Sequence, residues 1–168
     1  MIELRRAGPE DVDWLVELLN GAETEPFLGV NSAFDRAAVL AEVERSLAEP
    51  RRFGRFVIEV DGERAGVMGF DQQSEQHRIA RLGGLAVHPS FRGRRIADDA
   101  ARLLQRHLFH ELGFHRLELA CYGFNERAIR HAERAGFVRE GVKRRAYLRH
   151  GEWQDAVLFG LLREDLDS

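Results

Sequence analysis

Residues 78–122 constrain this chain more than any other segment. "RIARLGGLAVHP" (78–89) reads as a strand, and an arginine- and glycine-bearing loop follows it. A helix comes next, with Ile96, Ala100, Leu103, Leu104 and Leu108 on one face and a stop at Gly113. "HRLELACY" (115–122) is then a buried strand. Strand, loop, helix and strand in that order make a parallel crossover whose helix start faces the carboxyl edge of the sheet. A helix start exposes unpaired N–H groups and a partial positive charge. Arg92, Arg94 and Arg95 beside it raise a field that an anion would relieve.

The flanking segments complete a mixed α/β order. "IELRRA" (2–7) is a short edge strand, and Pro9 opens a helix carrying Val12, Leu15, Val16 and Leu19. A second helix over roughly 33–48 has Ala37, Leu40, Ala41, Val43 and Leu47 as its apolar side and ends before Pro50. Asp61-Gly62 between two strand-like runs is a two-residue hairpin turn. Gly83-Gly84 weakens the strand over 78–89 and predicts a bulge. "NERAIRHAERAG" (125–136) is a short helix, "FVREG" a strand, and "GEWQDAVLFGLL" (151–162) a closing strand.

Composition narrows the classes. With 168 residues the chain is expected to be one domain, 1–168, and a net charge of −3 makes no case for nucleic acid or an anionic membrane. Arginine is the default cation, since only Lys143 among 25 basic residues is lysine, so an arginine cluster carries less weight than usual. Cys121 is the lone cysteine; it sits in an apolar strand, reads as core, and suits a reducing cytoplasm. No apolar signal core or membrane-length span is expected. The usual nucleotide loops and the hydrolase elbow G-x-S-x-G are missing from the sequence. His107, His110 and His115 with Glu111 lie close together but lack a placed fourth ligand, so no metal is expected. His88 is positioned to cap the loop.

"LAVHPSFRGRRIADDAARLL" and "LELACYGFNERAIRHAERAGFVREG" together resemble the acetyl-CoA-binding core of the GNAT superfamily of N-acetyltransferases. Val87 and Pro89, Arg92 and Ala97, Asn125 and Ala128, and Gly136 with Phe137 carry the match. The tail "RHGEWQDAVLFGLL" resembles the RimJ/RimL-type branch, which acetylates ribosomal-protein N-termini and related amines. The resemblance implies a mixed, twisted sheet of six to seven strands with about four helices and splayed central parallel strands. It places the acetyl-CoA core at about 78–140 and the acceptor-side elements at 8–50 and 138–162. It also implies that Leu85, Ala86 and Val87 pair with the pantetheine arm. The loop Arg92, Gly93, Arg94, Arg95, Ile96 and Ala97 would cradle the pyrophosphate, with Asn125 and Ala128 opposite. Acetyl-CoA is the expected co-substrate, and an amine acceptor, either a peptide N-terminus or a small amine, the expected partner. A homodimer is compatible with this reading.

Three positions depart from the family pattern. Arg95 stands where glycine is usual, and a helical first turn with negative φ would accommodate it. Ala132 occupies the position of the usual tyrosine acid, and about Arg81 that of the usual glutamate base. Deprotonating a lysine-type amine of pKa ~10.4 costs about 4.6 kcal/mol at pH 7, against roughly 1–1.4 kcal/mol for an α-amine. A site without a standard base therefore suits an α-amine, or a water relay to a more distant acid. Tyr147 and then Tyr122 are the candidate proton-handling groups, and Glu23, Glu25 and Phe27 the candidate acceptor-binding residues. Two rival classes are a domain that holds acyl-CoA without transfer, and an RNA- or ribosome-binding domain using Arg144, Arg145 and Arg149.

Overall fold

Alternating apolar runs give seven strands, which hydrogen-bond into one sheet in the order β1-β2-β3-β4-β5-β7-β6. The computed structural model describes residues 1–21 and 34–166. β1 (Ile2–Arg6) leads through a short turn at Pro9–Asp11 into α1 (Val12–Leu19), and α2 (Arg36–Ala48) follows. β2 (Phe53–Val60), β3 (Glu63–Ser74) and β4 (Ile79–Val87) form an antiparallel meander. α3 (Ile96–Arg106) crosses to β5 (Arg116–Tyr122), which runs parallel to β4. α4 (Glu126–Arg134), β6 (Val138–Arg149), β7 (Glu152–Leu162) and a single turn, α5 (Arg163–Leu166), complete the chain.

The helices cover both faces of the sheet, as a twisted sheet with two apolar faces requires. Ile96, Leu104 and Leu108 from α3 and its extension, with Ala132 of α4, pack against Phe70, Leu117 and Phe159 of the sheet. Val12, Leu15, Val39 and Val43 from α1 and α2 pack on Val57 and Val67 of the other face. Full burial of a phenylalanine such as Phe70 or Phe159 contributes about 1.5–3 kcal/mol, so the sheet interior dominates stability. The Asp61-Gly62 turn forms as expected, with φ 49° and 83° joining Val60 to its partner Glu63.

Three elements differ from the sequence expectation. α2 turns Val39, Val43 and Ser46 inward, while Ala37, Ala41 and Leu47 face solvent. Ser46 explains the rotation: its hydroxyl accepts from the Arg55 amide at 2.9 Å and from the Arg6 guanidinium at 3.1 Å. An apolar count overlooks a serine that docks its helix. β6 extends to Arg149, well beyond "FVREG", because His150-Gly151 (φ 50° and 79°) is a second hairpin turn. β6 is an edge strand, and the charges that guard such an edge conceal its alternation. Finally, α3 is regular only to Arg106. A wider turn over His107–Glu111 follows, where the Leu112 amide donates to the His107 carbonyl at 3.0 Å, before the chain reverses at Gly113 (φ 77°).

Candidate active site

Two strands that start side by side part company at the centre of the sheet. β4 and β5 pair at Ile79↔Arg116, Ala80↔Leu117 and Arg81↔Glu118, and no further. Beyond that point β4 follows β3 up to Val87↔Gly66, while β5 follows β7 up to Tyr122↔Ala156. The divergence has a local cause. Between Val67↔Ala86 and Gly69↔Gly83 the β4 strand carries an extra residue, and Gly84 takes φ 66°, a left-handed geometry that glycine tolerates. This is the bulge expected at Gly83-Gly84. It leaves backbone groups of both strands facing a gap with no ladder partner among the described residues, an arrangement that invites a ligand with amides of its own.

The gap opens into a groove of about 430 Å³, a volume suited to a small-molecule site. Leu85, Ala86 and Val87 form one wall. Asn125 and Ala128 form the wall opposite, where the Asn125 side chain caps α4 by accepting from the Ala128 amide at 3.1 Å. Arg92, Gly93, Arg95, Ile96 and Ala97 close the end at the start of α3. No side chain caps that helix start, so its first N–H groups remain available to an anion. Arg94 does not line the groove; its guanidinium stacks over the Phe91 ring at 5.3 Å. His88 holds the loop's entrance, its Nδ1 accepting from the Ser90 amide at 3.2 Å. Arg95 departs from expectation, sitting at φ 56°, ψ 24° as the residue before α3 rather than at negative φ within it. The glycine usual in the family at this position now has a reason: the turn is left-handed.

A charged cluster of buried Asp98 and His131 with exposed Arg134, not anticipated from the sequence, also lines the groove. Asp98 in the first turn of α3 accepts from the Arg134 Nε at 3.0 Å and bonds the His131 Nδ1 at 2.8 Å. Burial alone would raise the Asp98 pKa, but the hydrogen bonds from Arg134 and His131 hold it below its usual value. Burial holds His131 below the usual histidine range. Arg127, His131 and Arg134 recur at spacings of four and three on the groove side of α4. That helical spacing marks a shared face of α4 but not the contact with Asp98 on α3.

The other candidates fall outside the groove. Tyr122 is 2% exposed and stacks on Phe124 at 5.3 Å, with the Arg149 guanidinium over both rings. Tyr147 is half-buried on β6 opposite Gln154. Pairing puts both tyrosines on the α1/α2 side of the sheet, since Tyr122 opposes Ala156, and Tyr147 opposes Gln154 two residues before it. Glu23, Glu25 and Phe27 lie outside the described residues. Cys121 is buried and its thiol pKa is pushed up to about 12 by burial, which leaves it unreactive as a nucleophile. His107 bonds Glu111 at 2.9 Å and sets its ring edge-on to Phe56.

The family described as "Acetyltransferase (GNAT) domain" matches residues 2–138. The chain belongs to the GNAT acetyltransferase family. It is 32% identical over 170 residues to the SPbeta prophage-derived N-acetyltransferase YokL of Bacillus subtilis (strain 168), covering 99% of this chain and 92% of that protein. It is 26% identical over 156 residues to the spermidine N(1)-acetyltransferase of Escherichia coli (strain K12), covering 93% and 83%. The fold superposes on spermidine N-acetyltransferase from Vibrio cholerae, solved in complex with CoA and spermine, with a TM-score of 0.86 and 20% identity over 99% of this chain and 98% of that one. The protein is thus a GNAT-type N-acetyltransferase, and acetyl-CoA is its co-substrate. These relatives support the superfamily rather than the ribosomal-protein branch to which the tail is similar. No helix among the described residues is long and apolar enough to cross a membrane.

Proposed function

We propose that this GNAT enzyme acetylates the primary amine of a small molecule or of a protein N-terminus by direct attack within a ternary complex. The observation that carries the reading is the gap above Arg81↔Glu118, continuous with a groove that ends at the uncapped start of α3. In this reading the backbone of Leu85, Ala86 and Val87 pairs with the pantetheine amides, taking the place of the missing β5 partner. The amides of the 92–97 loop bind the pyrophosphate, and the Arg95 side chain reaches one of its phosphates. Asn125 and Ala128 bound the arm from the α4 side. A backbone N–H at the bulge polarises the thioester carbonyl, and its effect grows as the oxygen gains charge in the transition state.

The acceptor approaches from the α1/α2 face. Its ammonium first loses a proton to water, and the neutral nitrogen attacks the thioester carbon. The C–N bond forms, the C–S bond breaks, and the departing thiolate is protonated as the nitrogen sheds its second proton. Tyr147, with Tyr122 behind it, is the proposed proton-handling group, because both lie on this face and neither the usual tyrosine nor the usual glutamate exists here. Two kinds of acceptor have support. The tail favours an N-terminal α-amine, and the polyamine named in two relatives favours a small amine. The lone buried cysteine fits a cytoplasmic setting.

The test is release of free thiol from acetyl-CoA across a panel of amines and short peptides, with calorimetric titration of acetyl-CoA alongside. Saturable binding with amine-dependent thiol release is expected. An acetyl-CoA titration without heat, in enzyme that is folded, would sink the reading.

A further inference from the structure

The acceptor side of the sheet carries an arginine that the reaction as described does not use. Arg81 holds the last paired position of β4 before the gap, across from Glu118 on β5 and Asp71 on β3. Its neighbours Ala80 and Leu82 point into the α3/α4 core, so Arg81 points to the α1/α2 side. The Arg81 Nε is buried and has no hydrogen-bond partner among the described residues. Both carboxylates beside it are engaged elsewhere. Glu118 accepts from the Arg116 Nε at 3.0 Å, and the Asp71 carboxylate lies 3.8 Å from Arg45. A half-buried guanidinium with an unsatisfied donor costs stability, and such groups persist where a ligand completes them.

A small recess of about 40 Å³ lies on the same side. Leu15, Val39, Val43 and Val67 line it, together with Leu85 and Ala86, which also wall the coenzyme groove. Recess and groove therefore meet at the bulge. Glu42 and Arg55 line the recess too, and they neutralise each other at 2.9 Å, so the recess adds no net charge. Glu118 and Asp71 share their arginines with Glu140 and Glu49, so what is left unsatisfied beside the reaction gap is one donor, the Arg81 Nε, rather than a net charge. A polyamine placed there would bring an ammonium toward Arg81, whereas a carboxylate would satisfy it.

We propose that the acceptor is a primary amine bearing a carboxylate a few bonds from its nitrogen, as in an amino acid, with Arg81 pairing the carboxylate and the recess taking an apolar side chain. The proposal rests on the acetyl-transfer reading above and narrows its substrate. The carboxylate is unchanged in the reaction; nitrogen gains the acetyl group, sulfur gains a proton, and the products are an N-acetyl amino acid and CoA.

The experiment compares kcat/KM, by thiol release, for apolar amino acids, the corresponding amino-acid amides and spermidine. It uses the wild-type enzyme, Arg81→Gln and Arg81→Lys. The wild type is expected to prefer acid over amide by at least about tenfold, the size of one charge-assisted contact. Arg81→Gln should erase that preference and leave acetyl-CoA affinity unchanged, and Arg81→Lys should retain part of it. Equal rates for acid and amide in the wild type, or a preference for spermidine, overturn the proposal without needing any variant to fold. A uniform loss for acid and amide in Arg81→Gln also overturns it, since Arg81 would then act on acetyl transfer itself. If coenzyme binds and amines are acetylated regardless of a carboxylate, only this proposal falls; if acetyl-CoA fails to bind, the acetyl-transfer reading falls with it.

Discussion

Arg95 bears a conformational cost that its own sequence context conceals. A non-glycine residue in the left-handed region costs about 1–2 kcal/mol, and Arg95 accepts this at φ 56° directly in front of α3. Reading the loop as the first helical turn predicts negative φ, because nothing in "RGRRIADD" marks which arginine precedes the helix and which begins it. Strain of this kind at a ligand-facing turn points to a side chain retained for a task. Two substitutions separate the backbone from the side chain. Arg95→Gly and Arg95→Ala should each weaken acetyl-CoA binding by about fivefold in calorimetry, the worth of an exposed charged contact of about 1 kcal/mol. In urea unfolding Arg95→Gly should be more stable than Arg95→Ala by about 1 kcal/mol, because only glycine relieves the turn.

At the scale of elements, α3 and α4 are clamped together by Asp98, His131 and Arg134 along the coenzyme groove. Both titratable members have pKa values depressed by folding, so both act in the same direction. His131 lies below its usual 6.5 because it is buried, and as pH falls below about 6.5 the unfolded chain takes up a proton that the fold refuses. Asp98 lies below its usual 3.8, and its contribution, complete above that value, is lost as pH falls through its folded pKa. Stability measured in urea should therefore decline from pH 7 to pH 5. His131→Leu, which leaves Asp98 bonded to Arg134, should flatten that decline. What was legible beforehand divides along similar lines. The β4 bulge, the Asp61-Gly62 turn and the groove walls from Leu85 to Ala128 follow from glycine placement and a motif with fixed order. The His131 cluster was not legible, because its three members come from two helices and meet only when those helices pack. The inward face of α2 escaped for a related reason: Ser46 is polar, and its partners Arg6 and Arg55 are distant in sequence.

For the molecule as a whole, coenzyme binding and folding are linked. Acetyl-CoA at a hundredfold excess over its Kd should stabilise the native state by about 2.7 kcal/mol, raising Tm by roughly 5–10 °C for a chain of this length. Cys121 offers an independent probe, since a buried thiol with pKa about 12 is expected to react with a disulfide reagent only when the fold opens. Acetyl-CoA should slow that labelling by the same free energy. The linkage has a structural origin in the seam between β4 and β5. Among the described residues, three ladder pairs zip one half of the sheet, β1 to β4, to the other half, β5 to β7. In the proposed function the coenzyme arm supplies further rungs from outside the polypeptide, so the substrate would double as a missing strand. Deuterium uptake at those amides of 84–87 and 119–122 that face the gap, rather than β3 or β7, should be fast in free enzyme and should slow sharply once the coenzyme arm is seated. With the coenzyme seated as proposed, the sheet would be mechanically continuous only while the enzyme holds its acyl donor.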